Sequence, residues 1–215
     1  MQKRSFAVLG LGKYGSALAE SLYDMGMDVL VADRNQETIQ AFSDKSTVAV
    51  CCNLADEDDV KALGLGAMDC VVVAMGSDFE ASVLCVVTAK ELGVPQIVAK
   101  ASTACKAGVL RKVGADRIID PEAENGVRSA RILASPLIFD YFDMNDNLCM
   151  IEMVPEAGWI GKCLRELNLR AKRGINVIAT RDKETSWDFS DPDRPITKET
   201  RLLVALRKRD LHVYQ

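Results

Sequence analysis

The sequence predicts an α/β protein: a doubly wound parallel sheet of six strands, followed by a crossover helix and a small α+β domain. Three observations carry this reading. Short apolar runs alternate with helix-length segments over the first 135 residues. Those runs are apolar nearly end to end, as strands covered on both faces are. The register then changes near Ser135-Pro136. The expected organisation is therefore a first domain over residues 1–135, a crossover helix or linker over 136–146, and a small domain over 147–215.

Taken in order, residues 5–33 (SFAVLGLGKYGSALAESLYDMGMDVLVAD) hold an apolar strand, a glycine loop, a helix and a second strand ending at Asp33. Asn35 can cap a short helix through Phe42. Thr47–Cys52 is a third strand, and Asp56-Glu57-Asp58-Asp59 places negative charge where the next helix dipole favours it. Cys70–Ala74 is a fourth strand; Asp78 can cap a long helix to Leu92, which Gly93 stops. Gln96–Lys100 and Asp116–Ile119 read as strands five and six, with helices over Thr103–Val113 and Glu124–Ala134. Residues 137–143, LIFDYFD, are dense in aromatic and apolar groups on an expected helix. They fit equally a core stripe and a crossover that packs on another subunit. Beyond Leu148 come a strand (LCMIEMVP), a helix over Lys162–Leu167, a strand over Asn176–Thr180, a polar hairpin around Asp191–Pro195 and a strand over Leu202–Leu206.

The first βαβ unit carries the chemistry. Gly10-Leu11-Gly12-Lys13-Tyr14-Gly15 between a strand and a helix is the dinucleotide-binding fingerprint of the Rossmann fold. Gly10 permits the tight turn, Gly12 lets a pyrophosphate approach the backbone, and Gly15 lets the helix pack closely on the strand. The helix N-terminus presents free N–H groups and a positive dipole end to phosphates. Asp33, 18 residues past Gly15, is placed to accept from ribose hydroxyls. Arg34 follows it, but the Asp33 carboxylate should repel a 2′-phosphate, so NAD or an adenosine nucleotide is expected over NADP. Lys13 at a helix N-terminus opposes the macrodipole, which makes sense beside a polyanion. In an open sheet the ligand lies beyond the strands' carboxyl ends. That adds Asn53-Leu54-Ala55 (Asn53 having donor and acceptor for an adenine edge), Ala74-Met75-Gly76 and Lys100.

Composition narrows the function classes. A net charge of −4 argues against general nucleic-acid binding, and Arg207-Lys208-Arg209 reads as a solvated edge. The seven cysteines form no CxxC pair and the single histidine is His212, so zinc-site and Ser-His-Asp chemistry lack material. No apolar run approaches the length of a membrane span and no signal peptide precedes the first strand, so a cytoplasmic location is expected. A dehydrogenase needs an acid/base group beside its nicotinamide; no candidate pair is visible. A nucleotide sensor, not an enzyme, is the leading reading, with a small NAD-dependent oxidoreductase as the alternative. No segment offers the basic recognition helix of a repressor.

These residues resemble the regulator-of-K⁺-conductance (RCK) family, of the TrkA/KtrA type. The matching segments are VLGLGKYGSALAESL, CNLAD at 52–56, VVVAMGSDFEASVLCV at 71–86, VAKA at 98–101 and LRKVGADRIIDPEAENG at 110–126. The GADRIIDPE stretch is the most specific, because a generic dinucleotide fold does not require it. The resemblance implies a cytosolic homodimer assembling into a ring, an octamer in the KtrA type, on a membrane-embedded K⁺-translocating subunit. ATP against ADP, or NADH against NAD in some relatives, would shift the ring between shapes. By position, Gly10, Gly12 and Gly15 would hold phosphates, Asp33 ribose, and Asn53–Ala55 with Ala74–Gly76 the adenosine. Lys13 falls where relatives often carry an arginine that reaches terminal phosphates across the subunit interface; lysine keeps the charge but loses the bidentate fork. Glu122 matches a carboxylate that helps hold a divalent cation or K⁺ near the nucleotide. Some relatives bind cyclic di-AMP at a C-terminal dimer interface, where Arg170, Asn176 and Pro195 would lie.

Overall fold

Six parallel strands form the first sheet: β1 (Ser5–Leu9), β2 (Asp28–Asp33), β3 (Val48–Cys51), β4 (Cys70–Val73), β5 (Ile97–Lys100) and β6 (Arg117–Ile119), in the order β3-β2-β1-β4-β5-β6. The computed structural model describes residues 3–182 and 186–214. The chain divides into two compact units, Met1–Ala123 and Glu124–Gln215. In the first, the strand order reverses between β1 and β4, which makes the gap beyond their carboxyl ends the topological switch point. The inner strands β1, β2 and β4 are apolar over most of their length because both faces are covered, whereas the edge strands β3 and β6 leave Val48 and Arg117 exposed. Ala7, Leu9, Leu30, Val71 and Val73 point into one core, against Cys85, Val86 and Ala89 of α4 (Phe79–Glu91). Val8, Val29 and Val31 point into the other, with Ala19 of α1 (Lys13–Asp24) and Ile39 of α2 (Gln36–Gln40).

Helix starts follow the local sequence. Asn35 accepts from Thr38 N–H at 3.1 Å and Asp78 from Ala81 N–H at 3.0 Å. Asp56 caps α3 (Glu57–Ala62), accepting from Asp58 and Asp59 N–H, and Thr103 caps α5 (Ala104–Lys112). At the opposite end of the sheet, Asp69 accepts from Ser5 N–H at 2.8 Å and from the Ser5 hydroxyl at 3.1 Å. These bonds hold the Asp69 carboxyl below its ordinary range. A depressed carboxylate stabilises the fold fully above its unfolded pKa, and that contribution is lost as pH falls through the folded value. Asp69→Asn is therefore expected to flatten the acid side of the stability–pH curve below about pH 4 while leaving the neutral side's slope unchanged; an unaltered acid slope in denaturant titrations would contradict the assignment.

The helix expected over Glu124–Ala134 runs as α6 (Pro121–Leu133), so Glu122 sits in its first turn and the division between units falls within it. The second unit is a five-stranded antiparallel sheet, ordered β10-β9-β11-β8-β7. Its strands are β7 (Ile138–Asp143), β8 (Leu148–Met153), β9 (Asn176–Asp182), β10 (Asp188–Phe189) and β11 (Thr200–Arg207). Leu202, Val204 and Leu206 alternate into a core with Ile151, Met153, Trp159 and Tyr214, in the period of a sheet buried on one face.

One expectation is overturned here: LIFDYFD is not a crossover helix but the edge strand β7, hydrogen-bonded to β8. Its buried residues, Ile138 and Tyr141, are three apart because the register shifts between Ile138 and Asp140. A bulge that absorbs one residue turns the strand period into an imitation of the helical one. Arg128 of α6 fixes the strand through a forked pair with Asp140 (2.9 and 2.7 Å), its guanidinium 5.3 Å from the Phe142 ring. The helix expected over Lys162–Leu167 is also shorter, α7 (Leu164–Leu167). Asn168, at φ +46°, breaks it from α8 (Leu169–Arg173). Among the described residues no helix is long and apolar enough to cross a membrane.

Candidate functional site

A cleft of about 340 Å³ opens at the switch point, within the size range of small-ligand sites. Gly10, Leu11 and Gly12 form one wall, Asp33 and Arg34 a second. The turns after β3 and β4, Asn53-Leu54-Ala55 and Ala74-Met75-Gly76, complete it. Gly10 has φ +93°, and a Cβ there would come within 2.6 Å of Met75 Cγ. A Cβ on Gly15 would lie 2.0 Å from the Gly10 carbonyl oxygen, so α1 can sit this close to β1 only without a side chain at that point. Gly12 is different: nothing lies within 4 Å of its would-be Cβ, which leaves the space a pyrophosphate needs. Gly12 caps α1 without a side-chain acceptor, and the first turn carries no acidic residue. The helix thus presents its leading N–H groups and positive end outward.

Asp33 works on both sides of the cleft. Its Oδ2 accepts from Leu11 N–H at 2.6 Å and its Oδ1 from Asn35 N–H at 2.9 Å. An ionised carboxylate has about four acceptor positions, so lone pairs are left for ribose hydroxyls while the glycine loop is held in place. Asn53 Oδ1 accepts from Ala55 N–H at 3.2 Å, and Asn53 N–H donates to Asp59 at 2.8 Å. Its amide NH₂ and the second lone pair of its oxygen are left to meet the edge of a base. Beneath that turn lie Cys52 and Cys85. Burial pushes Cys52 up to about 11 and Cys85 to about 12, and the Cys85 thiol donates to Leu54 C=O at 3.5 Å. They are floor, not nucleophiles.

Other expected residues lie outside this lining. Gly15 is buried beneath the loop, and Tyr14 packs against the core behind it. Lys13 is exposed on α1, outside the cleft. Lys100, with only 12% of its side chain exposed, reaches Glu122 Oε1 at 2.5 Å. That pairing draws the Glu122 carboxyl below its ordinary value. Among the described residues no group of three or more His, Cys, Asp or Glu could hold a metal ion, so a cation at Glu122 would need further ligands from a nucleotide or another molecule. The cleft also includes Asn35, Thr38, Ser77, Asp78 and Ala81, which the sequence reading did not select. Asn35 and Asp78 were identifiable as caps; the turns after β2 and β4, which flank the switch point with β1, bring these two into the cleft. The second unit has a groove of about 400 Å³ lined by Arg170 and Asn176, together with Asn168, Ser190 and Pro192. Pro195 lies outside it, bridged to Cys163.

This arrangement agrees with the TrkA-N domain family, whose model matches residues 6–121. The chain belongs to the TrkA-N family. It is 32% identical to Ktr system potassium uptake protein A of Bacillus subtilis (strain 168), over 100% of this chain and 97% of that protein. It is also 34% identical to the Ktr system potassium uptake protein A of Vibrio alginolyticus, over 87% of this chain and 90% of that one. Beyond the residues that the family model matches, a likeness of fold covers the second unit as well. The crystal structure of the GsuK RCK domain superposes over 99% of this chain with a TM-score of 0.67 at 17% identity, and a GsuK channel bound to NAD gives the same score. This chain spans 46% and 38% of those two chains.

Proposed function

We propose that this TrkA-N protein is the cytoplasmic, nucleotide-sensing regulatory subunit of a K⁺ uptake system. It docks on a membrane-embedded K⁺-translocating subunit as a ring of homodimers, an octamer by its resemblance to the KtrA type. The observation that carries the reading is the cleft itself: a glycine loop with open space over Gly12 and a free helix N-terminus, beside Asp33. The residues lining it include no His, Cys, Lys, Tyr or Glu, and its two carboxylates, Asp33 and Asp78, already accept from the N–H groups of Leu11, Asn35 and Ala81, an arrangement that favours binding over the acid–base work of hydride transfer. ADP and ATP are the ligands of this reading, with NAD(H) as the related dinucleotide. The adenosine lies over β2 and β3, its ribose at Asp33 and its base near the Asn53 amide, and the phosphates lie over Gly12. A ligand shifts a ring between two shapes only through differential affinity for them. The test is calorimetric titration of the purified chain with ADP, ATP, NAD and NADH, alongside a search for substrate-dependent NADH turnover. Micromolar binding without turnover supports the proposal; no binding, or turnover, overturns it.

Lys13, exposed and outside its own cleft, fits a role toward a nucleotide held by a neighbouring copy. Lys13→Ala is expected to lower the ATP-to-ADP affinity ratio several-fold in the assembled protein and to leave it unaltered at dilutions where the assembly dissociates. A ratio indifferent to the substitution in both states removes the lysine from this role. Glu122 serves as a cation ligand only together with the bound phosphates. For cyclic di-AMP, the groove with Arg170 and Asn176 is the candidate site, and Arg170→Ala is expected to weaken binding of that dinucleotide about tenfold by loss of a charge-assisted contact. Equilibrium dialysis reads this; unchanged retention would exclude the groove.

A further inference from the structure

We propose that Lys100 is the residue by which this chain reads a third phosphate on its own nucleotide, and that Glu122 holds it back until that phosphate arrives. The inference rests on the nucleotide reading above and deepens it. Strand order supplies the direction. Across β3-β2-β1-β4-β5-β6, the adenosine end of the cleft is marked by Asn53 after β3 and Asp33 at the end of β2, and the phosphate position by Gly12 after β1. A phosphate chain leaving Gly12 away from the adenosine must pass over the turn after β4, which is Gly76, toward the end of β5, which is Lys100. The Lys100 ammonium stands there: Nζ is 3.6 Å from the point that a Cβ on Gly76 would occupy, and Gly76 lines the cleft. A side chain at Gly76 would crowd the route between them.

Lys100 is largely shielded, whereas its partner is not. Glu122 leaves 67% of its side chain exposed, against 12% for Lys100. An ion pair with one exposed member is weak, so a terminal phosphate, carrying more charge and offering three acceptor oxygens, can draw the ammonium from the carboxylate. Lys100 then contributes a charge-assisted bond that ADP cannot receive. Released, Glu122 stands as a free carboxylate in the first turn of α6, where the dipole favours it and where it can face a cation or another molecule. The pair thus converts one phosphate into a change of charge at the surface, which is what a sensor must transmit.

The test is calorimetric affinity for ADP and for ATP with divalent cations chelated, in the unsubstituted chain, its Lys100→Met, Lys100→Arg and Glu122→Gln variants, and the Lys100→Met/Glu122→Gln double variant. Lys100→Met is expected to lower the ATP-to-ADP affinity ratio about tenfold with ADP affinity retained, and Lys100→Arg to keep the ratio. Glu122→Gln is expected to raise it, and that rise should vanish in the double variant, as coupling through Lys100 requires. Equal losses for both nucleotides in Lys100→Met overturn the proposal. So does a ratio unaffected by Glu122→Gln, which changes an exposed carboxylate and keeps the test open if the Met variant does not fold. Failure of the unsubstituted chain to bind either nucleotide refutes the nucleotide reading instead.

Discussion

Gly15→Ala is expected to abolish nucleotide binding and to lower unfolding stability by about 3 kcal/mol or more, at the top of the range for overpacking and beyond. The reason is geometric. The added Cβ would lie 2.0 Å from the Gly10 carbonyl oxygen and 3.2 Å from Ala74 Cβ. The closest obstacle is backbone, so no rotamer can relieve it. Relief requires α1 to move off β1, and the N–H groups that face the phosphates move with it. Gly12→Ala is the comparison, since nothing lies within 4 Å of its Cβ position. It should leave the denaturant midpoint nearly unchanged while filling the phosphate space, so binding falls without instability. A Gly15→Ala protein with unchanged midpoint and affinity would refute this account of the helix–strand contact.

Asp33→Ala is expected to weaken ADP binding about 100-fold, from the loss of two bonds from ribose hydroxyls to a charged acceptor. Part of that loss is indirect. The carboxylate also accepts from Leu11 N–H at 2.6 Å and Asn35 N–H at 2.9 Å, so its removal frees the glycine loop from the end of β2. Asp33→Asn separates the two roles. Its single amide oxygen can keep one backbone bond but cannot serve loop and ribose as the carboxylate does, and it should lose affinity to an intermediate extent. Titration of both variants with ADP, with far-ultraviolet circular dichroism as the fold control, measures this. Wild-type affinity in Asp33→Ala would exclude the carboxylate from the ribose site.

These two residues were legible because their constraints are local. A glycine that must admit a helix, or an acid that ends a strand, is defined by a few neighbours in sequence. The same holds for Asn35, Asp56, Asp78 and Thr103, each of which caps the helix that follows it. Segment 137–143 was misread for a physical reason of its own. A bulge spaced its buried residues at helical intervals, and the pairing with β8 that decides the matter comes from residues 149–153. Asn53 keeps its amide NH₂ and one lone pair of its oxygen for a base edge, while Ala55 N–H takes the other lone pair and orients the side chain. Asn168 and the break between α7 and α8 carried no signal beyond one asparagine in the left-handed region.

The sequence by itself determined the doubly wound sheet, its glycine loop and the family to which the chain is similar, because period, caps and glycine spacing are properties of short segments. Only the tertiary structure decided which charged residues meet. Lys100 and Glu122 are 22 positions apart, and β5 and β6 must lie side by side before the ammonium can reach the carboxylate. Lys13, whose position in the loop suggested a phosphate contact, points outside the cleft because the start of α1 turns it to solvent. Side-chain direction follows from how a helix sits on its sheet, and no spacing along the chain encodes that.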